Sequence, residues 1–304
     1  DSCMVYNADG TSALSNKDGE LVSAPALAST GLRGNVTQQM PKKPFAVKLD
    51  KKHGIFMTDT DMNNDLPAHK RWVLLANWKD RTLMRNDVAF GIADVFQQTF
   101  PNDGLAWNPS GQFVELVYNG VHVGNYYLCE HIKIDGNRLD ITDPFDEKDG
   151  YSGSPEDYGY LLEADDGYDE PWKFTTANYI PFLFKDDGND EMQTYAAEVV
   201  RGIEEQLYAG NYSAAYEHLD ITSLVDYWLI QEVMMNSEMK HPKSVYMYLN
   251  KGKLYAGPIW DFDWNTLPVS TSYSEEGYSY TNSMLAKAKA YHKRSGYPTE
   301  PKYD

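Results

Sequence analysis

Two aspartates stand two positions apart in an aromatic stretch, GPIWDFDW, at residues 257–264. They are Asp261 and Asp263, and they alternate with the aromatic residues Trp260, Phe262 and Trp264. On an extended strand the two carboxylates point to the same face, about 6–7 Å apart at roughly 3.3 Å per residue. Carboxylate oxygens suit Mg²⁺ or Ca²⁺, so a bend in the strand would let both bind one cation, with the aromatic residues holding the strand end rigid. The alternative is an acidic strand end that caps a turn.

More oxygen-bearing side chains follow a predicted helix that runs from Asp220 to about Met235. The helix is apolar over much of its circumference, which indicates burial, and Glu232, Asn236 and Glu238 stand at its end. Polar groups beside such apolar runs need partners, and a metal ion is one. The helix end and the strand end can therefore converge on a cation, although hydrogen bonds within the protein explain the same residues.

The sequence contains none of the common catalytic motifs. It has no Walker A pattern, complete GxGxxG, HExxH, GxSxG or HRD, and its seven histidines are scattered. The run DTDMNNDLPAHK places Asp59, Asp61, Asn63 and Asp65 at the first four alternating ligand positions of an EF-hand. However, it has Asn64 where the loop needs Gly and Lys70 where it needs a bidentate Glu, so we reject that reading. Carboxylate chemistry is what remains.

Composition excludes several classes of function. The net charge of −18 argues against binding of nucleic-acid phosphates and fits a solvated surface, a cation or a basic partner. No stretch approaches the roughly 18 apolar residues of a membrane span. The cysteines, Cys3 and Cys129, are too few for a Cys₄ zinc site and can form one disulfide or stay free. The chain opens without Met or a signal sequence, which suggests a processed chain.

The predicted elements combine strands and helices. Alternation of Phe45, Val47 and Leu49 predicts a strand with Lys48 on its opposite face. Asn119-Gly120 between strand-like runs predicts a hairpin. A helix follows Asp80 and ends before Pro101, with its apolar residues at helical spacing: Met84, Val88, Ile92, Val95 and Phe96. Another is expected over Asp190 to Tyr208, and the chain from 245 to 264 reads as two strands joined at Gly252, the second ending on the two aspartates. These patterns predict one α+β unit.

Six segments, taken in order, resemble the CotH family of spore-coat-type kinases, an atypical branch of the protein-kinase-like fold. The segments are RGN…PKKPFAVKL (33–49), KRWVLLANWKDRTLMRNDVAF (70–90), FVELVYNGVHVGNYYLCEHIK (113–133), YGYLLEAD (158–165), DYWLIQEVMMNSE (226–238) and VYMYLNKGKLYAGPIWDFDW (245–264). The resemblance covers about Gly31 to Asn265. It implies a single CotH-like kinase domain over residues 31–304, after an N-terminal tail or edge segment at 1–30. A mostly β N-terminal lobe would span about 31–135 and a helix-rich C-terminal lobe about 136–304.

The resemblance also implies an activity and a location. Family members use ATP and Mg²⁺ to phosphorylate Ser or Thr of secreted or surface proteins, and Ca²⁺ is the alternative cation here. The expected location is extracellular or at the cell surface, as for a bacterial secreted protein or lipoprotein whose signal has been removed.

By kinase logic, the resemblance assigns roles to several residues. Asp261 would be catalytic and would bind the metal that bridges the nucleotide phosphates, with Asp263 as an auxiliary ligand. Arg33 lies in a segment, Gly31 to Asn35, that resembles a shortened phosphate-covering loop. Lys48 would contact phosphate, or would be an ordinary solvent-facing strand residue.

The resemblance extends to the adenine site and to a regulatory helix. Glu130 to Ile132 are candidates for the adenine-binding hinge. The helix at 82–100 would be the regulatory helix, with Asp87 or Asp94 as the partner of the lysine.

One position departs from the family. Glu238 stands where the family usually has an Asp with a catalytic role, and it remains a candidate metal ligand and catalytic residue. Its extra methylene moves the carboxylate by about 1 Å, a displacement that can cost on the order of 10²-fold in rate. The first hypothesis is therefore an active secreted kinase, and the second a non-catalytic CotH-like adaptor that binds nucleotide or Ca²⁺. A carbohydrate-active protein, suggested by the paired acids and the aromatic residues, is the third.

Overall fold

The computed structural model describes residues 1–56, 65–101, 103–145, 153–236, 242–264 and 266–267. Glu238 and the acidic run that precedes Asp65 lie outside these described residues. The chain divides into two compact units, one formed by residues 1–87 and 109–132 and the other by 88–108 and 133–304. The lobe boundary near residue 135 stays a prediction, and each unit is described by itself.

The first unit is an antiparallel β-sheet of seven strands. The strands are β1 (Ser2–Cys3), β2 (Leu14–Ser15), β3 (Ala26–Leu32), β4 (Phe45–Ile55), β5 (Leu66–Leu75), β6 (Gly111–Tyr118) and β7 (Val121–Glu130). Their order is β1-β3-β4-β5-β7-β6, and β2 pairs with β4. Residues 1–30 thus contribute β1, β2 and most of β3.

Side-chain alternation along β4 places one face in the core of the first unit. Val47 and Leu49 are buried whereas Lys48 is exposed, as the alternation predicts. The core also contains Ile55 at the end of β4 and residues of other strands: Leu14, Leu66, Trp72, Leu74, Tyr126 and Leu128. Cys3 and Cys129 are both free thiols, and Cys129 is buried.

The predicted hairpin joins β6 and β7. Tyr118 pairs with Val121, so the turn contains two residues, Asn119 with φ of 51° and Gly120 with φ of 77°. Positive φ at both positions is what a two-residue turn needs to match the twist of the strands.

The second unit combines helices with a second antiparallel sheet. Its elements are α1 (Arg85–Thr99), whose first residues belong to the first unit, β8 (Gly159–Ala164), β9 (Lys173–Thr175), β10 (Pro181–Phe184), α2 (Asp190–Tyr208), α3 (Tyr212–His218), α4 (Ile221–Val233), β11 (Val245–Asn250) and β12 (Lys253–Ala256). The strand order is β12-β11-β8-β10-β9. None of the helices in the described ranges is long and apolar enough to cross a membrane, in agreement with the sequence.

The bounds of helices α2 and α4 lie close to those that the sequence predicts. Helix α2 has the predicted bounds, and Asn189 caps it by accepting a hydrogen bond from the backbone N–H of Met192. Asp220 caps α4 through the N–H of Ser223, over 2.8 Å. Side-chain oxygens at these positions satisfy backbone donors that the first turn leaves without partners.

Helix α1 departs from expectation in the face that it buries. The apolar residues Met84, Val88 and Val95 are 51%, 41% and 58% exposed, whereas Ala89 and Ala93 are fully buried. Ile92 and Phe96 of the predicted apolar set are half-buried, so helical spacing predicted the helix correctly and its inward face only in part. The mixture of helices and antiparallel sheets confirms the α+β class, and the kinase-like arrangement of lobes stays a prediction.

The buried carboxylate of Asp80 accepts hydrogen bonds from the backbone just before α1 and at its first residue. It accepts the backbone N–H groups of Thr82 and Arg85, each over 2.9 Å, and its side chain is fully buried. The helix therefore begins later than a cap at Asp80 would place it.

Candidate functional site

The segment that carries Asp261 and Asp263 is not part of a strand. Strand β12 ends at Ala256, and Asp261 has φ of 67°. The prediction that both aspartates share one face of an extended strand is therefore wrong. A left-handed residue bends the chain at Asp261 itself, and a left-handed non-glycine residue is uncommon enough to leave no clear signal in sequence. Asp263 follows the bend and is half-buried.

Two hydrogen bonds donated by backbone N–H groups fix the chain as it approaches Asp261. The N–H of Gly257 donates to the carbonyl of Tyr246 over 3.0 Å, and the N–H of Ile259 donates to Oδ1 of Asn108 over 3.0 Å. Gly257 has φ of 98°, and a Cβ there would lie 2.8 Å from Leu105 Cδ2. The positive φ favours glycine at this position, and a larger residue would also displace the end of the Leu105 side chain.

Aromatic residues pack on both sides of Asp261. Phe262 is fully buried and Trp260 is 6% exposed. The ring of Trp260 stacks on Phe90 of α1, with 6.0 Å between centroids and 26° between planes. The hydroxyl of Thr266 donates to the carbonyl of Phe262. Burial of these rings fixes the backbone on which Asp261 stands.

Ser244 contacts Asp261 directly. Its Oγ donates to Oδ2 of Asp261 over 3.3 Å, and Ser244 also has a left-handed backbone, with φ of 55°. Sequence reasoning missed Ser244, because a serine before a strand has no distinctive spacing. The pair brings a hydroxyl and a carboxylate together at one place in the second unit.

The end of α4 meets the chain that follows the aspartates. The N–H of Leu267 donates to the carbonyl of Met234 over 3.0 Å, whereas the convergence of the oxygen ligands themselves on one cation stays a prediction. Asn236 is buried, and its Nδ2 donates to Oε1 of Gln231 over 2.8 Å.

Glu232 contacts a neighbour on its own helix. Its Oε1 accepts a hydrogen bond from Nε1 of Trp228 over 3.1 Å. One oxygen of Glu232 is therefore occupied by Trp228, whose side chain is 40% exposed.

A pair of salt bridges precedes Ser244. Lys243 Nζ lies 3.1 Å from Asp165 Oδ1 and 3.0 Å from Asp166 Oδ1. Burial alone would lower the pKa of Lys243, but the two carboxylates reverse this effect and raise the pKa. Lys243 is therefore held as a cation by the residues that directly follow β8.

A second ionic cluster lies on the same sheet. Lys185 Nζ lies 2.7 Å from Glu163 Oε2 and 3.0 Å from Glu170 Oε1. Burial raises the pKa of Glu163, and Lys185 opposes that shift only in part.

The candidates in the first unit have separate surroundings. Lys48 projects from the exposed face of β4, between Ser29 and Arg71 of the neighbouring strands. Arg33 directly follows β3, and its N–H donates to the carbonyl of Pro44 over 3.2 Å.

Two further acidic candidates of the first unit accept hydrogen bonds within that unit. Glu130 is 2% exposed, and its Oε2 accepts the N–H of Ser110 over 3.0 Å. Asp87 accepts the hydroxyl of Tyr127 over 3.0 Å. Arg33, Lys48 and Glu130 thus lie in the first unit and the two aspartates in the second, and their use in one nucleotide site stays a prediction.

A second lysine of the first unit is better enclosed than Lys48. Lys42 Nζ donates to the carbonyl of Ala76 over 2.7 Å and lies 4.5 Å from the ring centroid of Tyr126. Burial lowers the pKa of Lys42. Sequence reasoning passed over it because it precedes the alternating run that drew attention to Lys48.

The donor set around Asp261 suits a hard cation. Within the described ranges, no three or more His, Cys, Asp or Glu side chains cluster as metal ligands do, and Glu238 lies outside those ranges. Mg²⁺ commonly binds proteins through only one or two carboxylates and takes its other ligands from water and substrate phosphates. Asp261 and the hydroxyl of Ser244 that contacts it are groups of this kind, and the role of Asp263 as a second ligand stays a prediction.

Comparison with known proteins assigns the chain to a family. No curated protein matches it. A family model described as CotH kinase protein matches residues 31–291, a range that includes Ser244, Asp261 and Asp263. This match confirms the resemblance drawn from the six ordered segments and covers most of the 304 residues. The chain therefore belongs to the CotH kinase protein family.

Proposed function

We propose that this protein is a kinase that transfers the γ-phosphate of ATP to Ser or Thr of a secreted or surface protein, using Mg²⁺ or another divalent cation. Membership of the CotH family supports the kinase class and favours it over a carbohydrate-active protein. The observation that carries the proposal at residue level is the hydrogen bond between Ser244 and Asp261, which joins the segments before β11 and after β12.

Asp261 is the principal cation ligand in this proposal. A divalent cation, when bound, neutralises charge on the nucleotide phosphates. Asp261 holds the cation through its carboxylate, Ser244 fixes one oxygen of that carboxylate, and Asp263 is an auxiliary ligand. Phosphoryl transfer depends mainly on positioning and electrostatics, so a carboxylate held in one orientation is the contribution required.

The backbone conformation of the pair supports a functional role. Ser244 and Asp261 both have positive φ, a conformation that costs on the order of 1–3 kcal/mol for a residue other than glycine. Such residues persist where the surrounding structure holds them, and they cluster at active sites and ligand clamps. Here the buried rings of Trp260 and Phe262 provide that support.

The nucleotide contacts in this proposal come from the first unit. The family resemblance assigns phosphate contacts to Arg33 and Lys48 and the adenine hinge to Glu130. Lys42 competes with Lys48 for the phosphate role, because its ammonium is more enclosed. Comparing ATP affinity in Lys42→Ala and Lys48→Ala distinguishes them: the greater loss identifies the phosphate lysine.

The test of the proposal compares wild type with Asp261→Asn. We expect wild type to be stabilised by ATP with Mg²⁺ in a thermal shift assay and to transfer labelled phosphate to a protein acceptor. Asp261→Asn should lose the Mg²⁺-dependent shift, and transfer should fall on the order of 10²-fold because the phosphates are mispositioned. Asp169→Asn, at an exposed aspartate of the same unit, is the matched control. Full retention of both signals in Asp261→Asn would contradict the proposal.

A non-catalytic adaptor is the second candidate, and a sequence difference favours it. Glu238 replaces the Asp expected at that position of the family, with a longer side chain. If wild type binds ATP with a divalent cation but transfers no phosphate, and Glu238→Asp gains transfer, the protein is an adaptor. Robust transfer by wild type rules the adaptor out.

A further inference from the structure

Strands β8 and β11 stay connected beyond the end of their regular pairing, next to Ser244. Strands β8 and β11 pair up to Ala164 and Val245. Past that point the N–H of Asp166 donates to the carbonyl of Pro242 over 2.9 Å. The backbone just before Ser244 is therefore attached to the backbone just after β8.

The side chain of Lys243 strengthens this attachment. It contacts both Asp165 and Asp166, at 3.1 and 3.0 Å, and its side chain is only 26% exposed. The N–H of Gly167 also donates to Oδ1 of Asp165, over 2.5 Å, which fixes the carboxylate that Lys243 contacts. Charge-assisted hydrogen bonds of this kind are stronger than neutral ones and have defined geometry.

Ser244 follows Lys243 directly and has little freedom of its own. Its left-handed φ of 55° is a conformation that a serine leaves readily unless its neighbours hold it. Lys243 is fixed on one side and Val245 enters β11 on the other. Between these two neighbours, the hydroxyl of Ser244 donates to Asp261.

We propose that Lys243, clamped by Asp165 and Asp166, is a positioning residue that holds the hydroxyl of Ser244 against Asp261 and thereby orients the cation-binding carboxylate. This inference rests on the proposed function only in taking Asp261 as the cation ligand. Groups that orient a metal ligand commonly change metal affinity by 10- to 100-fold when removed.

A purely electrostatic role for Lys243 predicts the opposite result. Removing its positive charge would leave the negative charges of Asp165 and Asp166 without that counter-charge near the site, and these charges would attract Mg²⁺ and raise its affinity. The positioning role predicts a lower affinity, because Asp261 loses its fixed orientation. The sign of the change therefore separates the two roles.

Lys185 provides a matched control for the loss of a clamped lysine. It also makes two salt bridges on the same sheet, at 2.7 and 3.0 Å, and its side chain is 24% exposed. Its partners are Glu163 and Glu170 instead of the residues that hold Lys243. Substituting either lysine by Met costs stability in a similar way, but only Lys243 adjoins Ser244.

The experiment measures two properties of Lys243→Met and Lys185→Met, with Lys243→Arg as the conservative variant. The first is Mg²⁺ affinity by calorimetry, with the metal alone as the probe. We expect Lys243→Met to bind Mg²⁺ about 10-fold more weakly than wild type, Lys185→Met to stay close to wild type, and Lys243→Arg to recover most of the loss. The second is amide hydrogen exchange over residues 242–247 without metal, which should accelerate in Lys243→Met alone.

The outcomes separate this inference from the proposed function. A higher Mg²⁺ affinity in Lys243→Met, equal losses in both lysine variants, or unchanged exchange over 242–247 would overturn the positioning role. If wild type binds no Mg²⁺, the proposed function fails, whereas the exchange comparison still decides whether Lys243 orders Ser244. If Lys243→Met does not fold, Asp166→Asn removes one of the two salt bridges and should show the same changes to a smaller degree.

Discussion

The side-chain oxygen of Asn108 accepts a hydrogen bond from the backbone N–H of Ile259, 3.0 Å away, and links two parts of the chain that are 151 residues apart. Asn108 follows α1 and is 3% exposed, and Ile259 is fully buried and stands just before the bend at Asp261. The backbone just before Asp261 is therefore held in place by a residue that is distant from it in the sequence.

Asn108→Ala should weaken both the fold and the site. The substitution leaves the buried N–H of Ile259 without its acceptor, which costs about 1–3 kcal/mol. We expect a lower free energy of unfolding in urea and weaker Mg²⁺ binding. Asn137→Ala, at an exposed asparagine, controls for the side-chain change. Equal stability of the two variants would show that the contact contributes nothing.

Two substitutions at Ser244 separate backbone strain from chemistry. Ser244→Ala and Ser244→Gly both remove the hydrogen bond to Asp261, so each should lower Mg²⁺ affinity by about 10-fold, equivalent to 1.4 kcal/mol. Glycine accepts a φ of 55° whereas alanine does not, so Ser244→Gly should be the more stable by about 1 kcal/mol. Calorimetry measures the first quantity and urea unfolding the second. The prediction is wrong if either variant binds Mg²⁺ as tightly as wild type does.

Packing around Phe262 should account for much of the rigidity of the site. Phe262 is fully buried, and truncation of a buried Phe to Ala typically costs 3–5 kcal/mol. Phe262→Ala should therefore lower the free energy of unfolding by about that amount. Phe100→Ala makes the same change at a residue that is 55% exposed and should cost far less. A similar cost at both positions would mean that the Phe262 ring packs less tightly than its burial indicates.

Local patterns predicted several elements, and long-range contacts explain the misses. The bounds of α2 and the β6–β7 turn follow from capping residues and turn residues that act within a few positions. The buried face of α1 depends on what packs against it, such as the stacking of Phe90 on Trp260. The sequence identified Asp261 by its type and surroundings. It contained no signal for Ser244, because that contact depends on how two distant segments fold together.

The buried carboxylate of Asp226 should make stability depend on pH. Asp226 is 8% exposed. Burial raises the pKa of this carboxyl, the charges of Asp103 and Asp220 add to the rise, and the hydrogen bond from the N–H of Leu105 opposes it. The folded protein therefore binds this proton more tightly than the unfolded chain does.

The sign of the pH effect follows from that difference. Stability falls as pH rises wherever the folded state binds more protons, and for Asp226 this window opens above the ordinary Asp pKa of about 3.9. Asp226→Asn keeps an oxygen to accept the N–H of Leu105, now 3.3 Å away, and removes the buried charge. We therefore expect Asp226→Asn to be more stable than wild type at pH 7, with the gain shrinking as pH falls toward 4. Urea unfolding at several pH values measures this gain, and Asp140→Asn, at an exposed position, is the control. A gain that grows toward low pH would contradict the assignment, because it would mean that the folded state favours the ionised carboxylate.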